Sequence, residues 1–150
     1  MSIITSTRPV VIGLDHGFGN VKTAHACFKA GVTAHANEPT FKNELLIYDG
    51  RYYTIGDEHK EFVADKAGDQ DYYILTLAAV ARELRYRGLS SGRVFLAAGL
   101  PLTWVSGQRD SFKAYLLQNP AADFTYRDAA YHIEFAGAEI YPQGFRSLSA

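Results

Sequence analysis

Asp15, Gly17, Gly19, Asn20 and Lys22 cluster in the stretch "GLDHGFGNVKTAHA", directly after the apolar run Val10-Val11-Ile12. Glycines at 17 and 19 free a turn to aim successive backbone N–H groups into one concavity, and their missing side chains let a phosphate come close. Lys22, on the returning chain, adds a point charge. Asp15 cannot hold a phosphate itself, but it suits Mg²⁺, directly or through its waters, because that ion favours one or two carboxylates plus phosphate oxygens. The residues therefore read as a site for Mg²⁺ and the terminal phosphates of a nucleotide. The alternative is a tight hairpin whose glycines serve only the turn.

Other constellations are weaker. Gly17-x-Gly19 has no third glycine at position 22 and opens a strand, which removes the dinucleotide fingerprint. No Gly-Lys-Ser/Thr sequence of a P-loop occurs. Gly88-Leu89-Ser90-Ser91-Gly92 has the glycine spacing of a nucleophile elbow, but a helix precedes it and a strand follows, the reverse of what that motif needs. His25 and Cys27 share one face of a strand, while His35, His59 and His132 are scattered, so no pair has zinc-site spacing. Asp65, Asp69 and Asp71 lack the order of a calcium loop and read as a solvated loop and a helix cap.

The elements that must position Asp15 and Lys22 follow from periodicity. Residues 9–15 read as a buried strand because their apolar positions are continuous. Residues 20–28 alternate as a second strand folding back on it, and Glu44–Tyr48 with Arg51–Ile55 flank Asp49-Gly50, the strongest hairpin signal in the chain. Residues 29–43 read as loop with at most a short strand. Asp71 reads as the N-cap of a helix to Arg87, with Ile74, Leu77, Ala78, Ala81 and Leu84 at helical spacing and Gly88 at its left-handed end. Residues 93–98 form a further strand and residues 107–118 a second amphipathic helix ended by Asn119-Pro120. The tail offers short strands at 123–127, 130–135 and 139–142, with Ala136-Gly137-Ala138 as a turn. The class is α/β with a mixed sheet flanked by helices.

Composition bounds the rest. A chain of 150 residues fits one domain and buries roughly 68–70% of its unfolded surface. With 15 Lys+Arg against 16 Asp+Glu there is no basic excess for a nucleic-acid backbone. The single Cys27 excludes an internal disulfide, and the N-terminus lacks the pattern of a signal peptide, so the expected compartment is the cytoplasm, with no membrane partner.

The stretch "VIGLDHGFGNVKTA" resembles the first phosphate motif of the actin superfamily of actins, sugar kinases and heat-shock chaperones. "ELLIYDGRYYTIG", "DKAGDQDYYILTLAAVARELRYRG" and "LAAGLPLTWVSGQRDSFKAYLL" are similar to bacterial actin-like proteins of the ParM/StbA plasmid-segregation type. "IYPQGF" resembles the stretch with which the first large domain of these proteins hands over to the second. The resemblance implies a ribonuclease H-like actin-fold domain, with residues 29–70 as a small inserted subdomain and the second domain absent. It implies a complete protein that is an ATPase, binds ATP or GTP with Mg²⁺, forms filaments and moves plasmids through an adaptor protein without touching nucleic acid. Carried over by residue, Gly17, Phe18, Gly19, Asn20 and Lys22 hold the phosphates, Asp15 holds Mg²⁺ through water, and Gln143 orients the attacking water.

His16 departs from the family pattern and reads as an exposed turn histidine. Trp104 reads as a buried anchor for the following helix, with a protomer contact as the other reading. Because the resemblance spans about half of a family member, the competing expectation is a non-catalytic module that caps or regulates filaments, or a fragment without independent activity.

Overall fold

The computed structural model describes residues 8–16, 19–40, 43–56, 70–100 and 106–142. Gly17, Phe18, Trp104 and Gln143 lie outside the described residues. The strands are β1 (Val10–His16), β2 (Asn20–Lys22), β3 (Cys27–Lys29), β4 (Val32–His35), β5 (Leu45–Tyr48), β6 (Arg51–Ile55), β7 (Ser91–Leu100), β8 (Ala121–Tyr126) and β9 (Ala129–Pro142). The helices are α1 (Gln70–Tyr86) and α2 (Ser106–Leu116).

Among the described residues these strands form one mixed sheet in the order β3-β2-β1-β7-β9-β8-β5-β6-β4. β1 pairs β7, and β7 pairs β9, in parallel, and the other pairings are antiparallel. β3 and β4 stand at opposite ends of that order, yet only Ala30 and Gly31 separate them in sequence. A flat sheet would hold its outer strands about 38 Å apart at a spacing of about 4.8 Å, whereas three Cα steps reach at most about 11 Å. The sheet must therefore curl until its ends meet. The ladders run up to this crossing from both sides: Ala30 N–H donates to Gly19 C=O (2.9 Å), extending β2–β3, and Gly56 N–H donates to Gly31 C=O (2.8 Å), extending β4–β6.

Helix α1 lies in the hollow of this curl. Every residue from Tyr72 to Ala81 is buried, so α1 is enclosed all round instead of offering one apolar stripe. It packs against β1, β2 and β4, which belong to both ends of the sheet. Phe112, Tyr115 and Leu116 of α2 complete the core, and Tyr115 Oη accepts a 2.6 Å hydrogen bond from Tyr73 N–H.

Three local readings change. β1 alternates, with Ile12, Leu14 and His16 buried toward the helices, while Val11 on the other face is 60% exposed. Residues 20–28 are two strands broken by a turn at Thr23–Ala26, where Thr23 N–H donates to Ala26 C=O (2.8 Å). Residues 136–138 are a bulge inside one long β9, because the pairing with β7 slips between Val94–Phe135 and Phe95–Gly137. A Cβ at Gly137 would come within 3.1 Å of the Phe95 ring, so the glycine belongs to this close approach and makes no turn.

Candidate functional site

The register of β1 and β2 places Asp15 directly opposite Lys22, and His16 opposite Val21. Facing residues of an antiparallel pair project from the same side. Asp15 is also level with Gly99 on β7, and Gly99 with Tyr141 on β9. Lys22, Asp15, Gly99 and Tyr141 thus form one row across four strands at the C-terminal ends of the parallel ones, where ligands of α/β sheets bind.

Charge makes this row unusual. Asp15 Oδ1 is buried and has no hydrogen-bond partner among the described residues. Lys22 opposite it is exposed. A buried carboxylate oxygen without a donor is costly in isolation and fits a cation. Gly19, at φ 118°, adopts a backbone conformation that residues with a Cβ seldom reach, and its carbonyl carries the hydrogen bond from Ala30. Asn20 is exposed at the start of β2.

His16 is not an exposed turn residue. It is fully buried on the inner side of β1, edge-on to Tyr72 (5.2 Å between centroids) and Phe112 (6.1 Å). The Thr76 hydroxyl donates to Tyr72 C=O (2.8 Å), so His16 Nε2–H is the donor in its 3.0 Å bond to Thr76 Oγ1. The strand end that carries Asp15 outward is thereby anchored inward on α1, and alternation along β1 separates the two side chains.

The turn after Lys22 is held by Glu83, whose side chain is only 2% exposed. Glu83 Oε2 accepts from the Thr23 hydroxyl and from His25 N–H, both at 2.7 Å, and Oε1 accepts from His25 Nδ1–H (3.0 Å) and Arg87 Nη1–H (2.7 Å). Burial pushes this carboxyl upward, but the hydrogen bonds from His25, Thr23 and Arg87 outweigh it and hold the group at about 2. Glu83 is therefore an anion at neutral pH. His25 stacks on Tyr86 at 3.7 Å between centroids and sits in the turn, so it does not share a strand face with the exposed Cys27.

The family described as actin like proteins, N terminal domain, matches residues 13–145. The chain belongs to this actin-like family. Its fold is the fold of solved actin-like structures. The apo psk41 parM protein is 17% identical with a TM-score of 0.68, covering 89% of this chain and 49% of that one. An AlfA filament bound to AMPPNP is 13% identical with a TM-score of 0.70, covering 91% and 55%. An archaeal actin homolog, Ta0583, in complex with ADP, is 17% identical with a TM-score of 0.62, covering 90% and 44%. The actin-like domain thus spans about half the length of these structures. No curated protein matches it in sequence.

Of the residues singled out from the sequence, the actin-like domain brings Asp15, Gly19, Asn20 and Lys22 to one end of the β1–β2 hairpin. Sequence reasoning missed Glu83 and Thr76, which hold that hairpin from the helix side. The available signal was a Glu83–Arg87 pair at i,i+4.

Proposed function

We propose that this domain binds the β- and γ-phosphates of ATP or GTP with Mg²⁺ and is the first domain of a filament-forming actin-like ATPase that segregates plasmids. The observation that carries the reading is the buried, unbonded Oδ1 of Asp15 set opposite the exposed Lys22 beside the Gly19 turn. The AlfA filament bound to AMPPNP and the Ta0583 complex with ADP support it as structures of the same fold.

In this reading Lys22 meets phosphate oxygens as a point charge, and the backbone of residues 17–20 donates to them. Asp15 holds Mg²⁺ through water. The bound ion supplies neutralisation of charge on the phosphate oxygens. Gln143 orients the attacking water, since its carbonyl accepts a hydrogen bond and its amide donates one. Residues 29–70, which carry β4, β5 and β6, are an insertion into the actin-like core. A plasmid adaptor protein links the filament to its cargo in the cytoplasm, and the formal charge of −1 agrees with a chain that does not grip nucleic acid itself.

Calorimetric titration of the chain with Mg²⁺–ATP, with Lys22→Ala beside it, tests the reading. Loss of one charge-assisted contact weakens affinity about 10- to 100-fold. Equal affinity of the two chains, or no binding by the native one, refutes it.

A further inference from the structure

We propose that Glu83 is a positioning residue for the phosphate site, holding the β2–β3 turn so that Lys22 stays opposite Asp15; the proposal rests on the phosphate reading above. Strands β2 and β3 have three residues each, and a ribbon this short is marginal without outside support. Val21 and Phe28 bury one side of it. β2 also pairs with β1, but the turn beyond Lys22 lies past that pairing, and there the support is the Glu83 carboxylate, which takes three hydrogen bonds from Thr23 and His25.

A carboxylate is poorly suited to the place Glu83 occupies. It is desolvated, and it stands in the last turn of α1, the end of a helix that repels anions. The donors it collects offset both costs, and all but Arg87 come from the turn. Thr23 is joined to Lys22 by one peptide bond, so fixing the Thr23 hydroxyl and the His25 amide fixes the backbone on which the ammonium is mounted. His16, bonded to Thr76, fixes the facing strand from the same helix. One helix therefore sets both partners of the Asp15–Lys22 pair.

Two exchanges at position 23 separate anchoring from packing. Thr23→Val keeps the shape and loses the hydroxyl, whereas Thr23→Ser keeps the hydroxyl and loses a methyl. Binding of Mg²⁺–ATP is measured for both and for Glu83→Gln, alongside amide exchange of residues 20–22 and 72–81 without nucleotide. The expected result is binding weakened about tenfold or more in Thr23→Val and Glu83→Gln, faster exchange in β2 with α1 unchanged, and native behaviour in Thr23→Ser. Native affinity in Thr23→Val, or equal losses in the two position-23 variants, overturns the proposal. If Glu83→Gln does not fold, the position-23 pair decides. No binding by the native chain overturns the phosphate reading and this role with it; native binding that all three variants retain overturns the role of Glu83 alone.

Discussion

Two carboxylates tie the sheet to helix α1, and they do so under different conditions. Glu83 projects from the helix into the β2–β3 turn and is almost wholly shielded. Glu44, just before β5, is 28% exposed. Glu44 Oε1 accepts from Tyr126 Oη–H (2.5 Å) and Arg82 Nη2–H (3.3 Å), and Oε2 from Arg127 Nε–H (2.8 Å) and Nη2–H (2.6 Å). Arg82 also lies 4.4 Å over the Phe28 ring of β3, so this helix residue spans from the β3 edge to Tyr126 of β8 and Glu44 before β5. Burial raises the Tyr126 hydroxyl to about 12, and its hydrogen bond to Glu44 adds to the shift. Both carboxylates are well supplied with donors, but only Glu83 does without water, so its partners must do all the work of solvation. At Glu44 water competes for the same oxygens, which lowers the value of each contact.

Alanine at each position should separate them most clearly. Glu83→Ala is expected to lower unfolding free energy by about 1.5–3 kcal/mol, the range for hydrogen bonds to a charged group, measured by urea denaturation. The acid limb sharpens the comparison. Because the folded pKa of Glu83 is depressed to about 2 from 4.5, its contribution is complete above about pH 4.5 and is lost as pH falls through 2. The gap between the native chain and Glu83→Gln should therefore close between pH 5 and pH 2 (about the span set by those two values); a constant gap breaks the argument.

Glu44→Ala should cost less, about 1–2 kcal/mol, chiefly from leaving the buried Tyr126 hydroxyl without its acceptor. A loss equal to that of Glu83→Ala would show that burial is not what distinguishes the two. The smallest effect belongs to the exposed His132, raised by its hydrogen bond to Asp123 (2.6 Å). A raised histidine stabilises below its ordinary value of 6.5 and stops doing so as pH rises through its folded value. With both side chains well exposed, His132→Gln should shift stability by a few tenths of a kcal/mol at pH 5.5 (about one unit below the ordinary histidine range) and by nothing measurable in mild alkali.

How much of this was legible varies with distance along the chain. The Asp49-Gly50 hairpin forms with φ of 54° and 74°, and Gly88 ends α1 at φ 74° with Leu89 N–H donating to Leu84 C=O (2.8 Å). Both rest on neighbours a few residues away. The turn at Arg127 and Asp128 takes the same left-handed backbone, at φ 54° and 64°, without a glycine to announce it. There Arg127 is held by Glu44 and by its own N–H donating to Leu45 C=O (3.1 Å). Strain at that tip is sustained by contacts no local pattern contains.

The sequence by itself determined the hairpins, the two helices, the mixed sheet and the pairing of a glycine turn with Asp15 and Lys22, because turn chemistry and periodicity act over a few residues. Tertiary structure alone decided that the sheet curls around α1, that His16 turns inward, and that the strand after Lys22 breaks where Glu83 captures it. The groups responsible are 58 to 60 residues apart. Which face of a strand loses its water, and which buried carboxylate finds its donors, is settled only when such distant segments pack together.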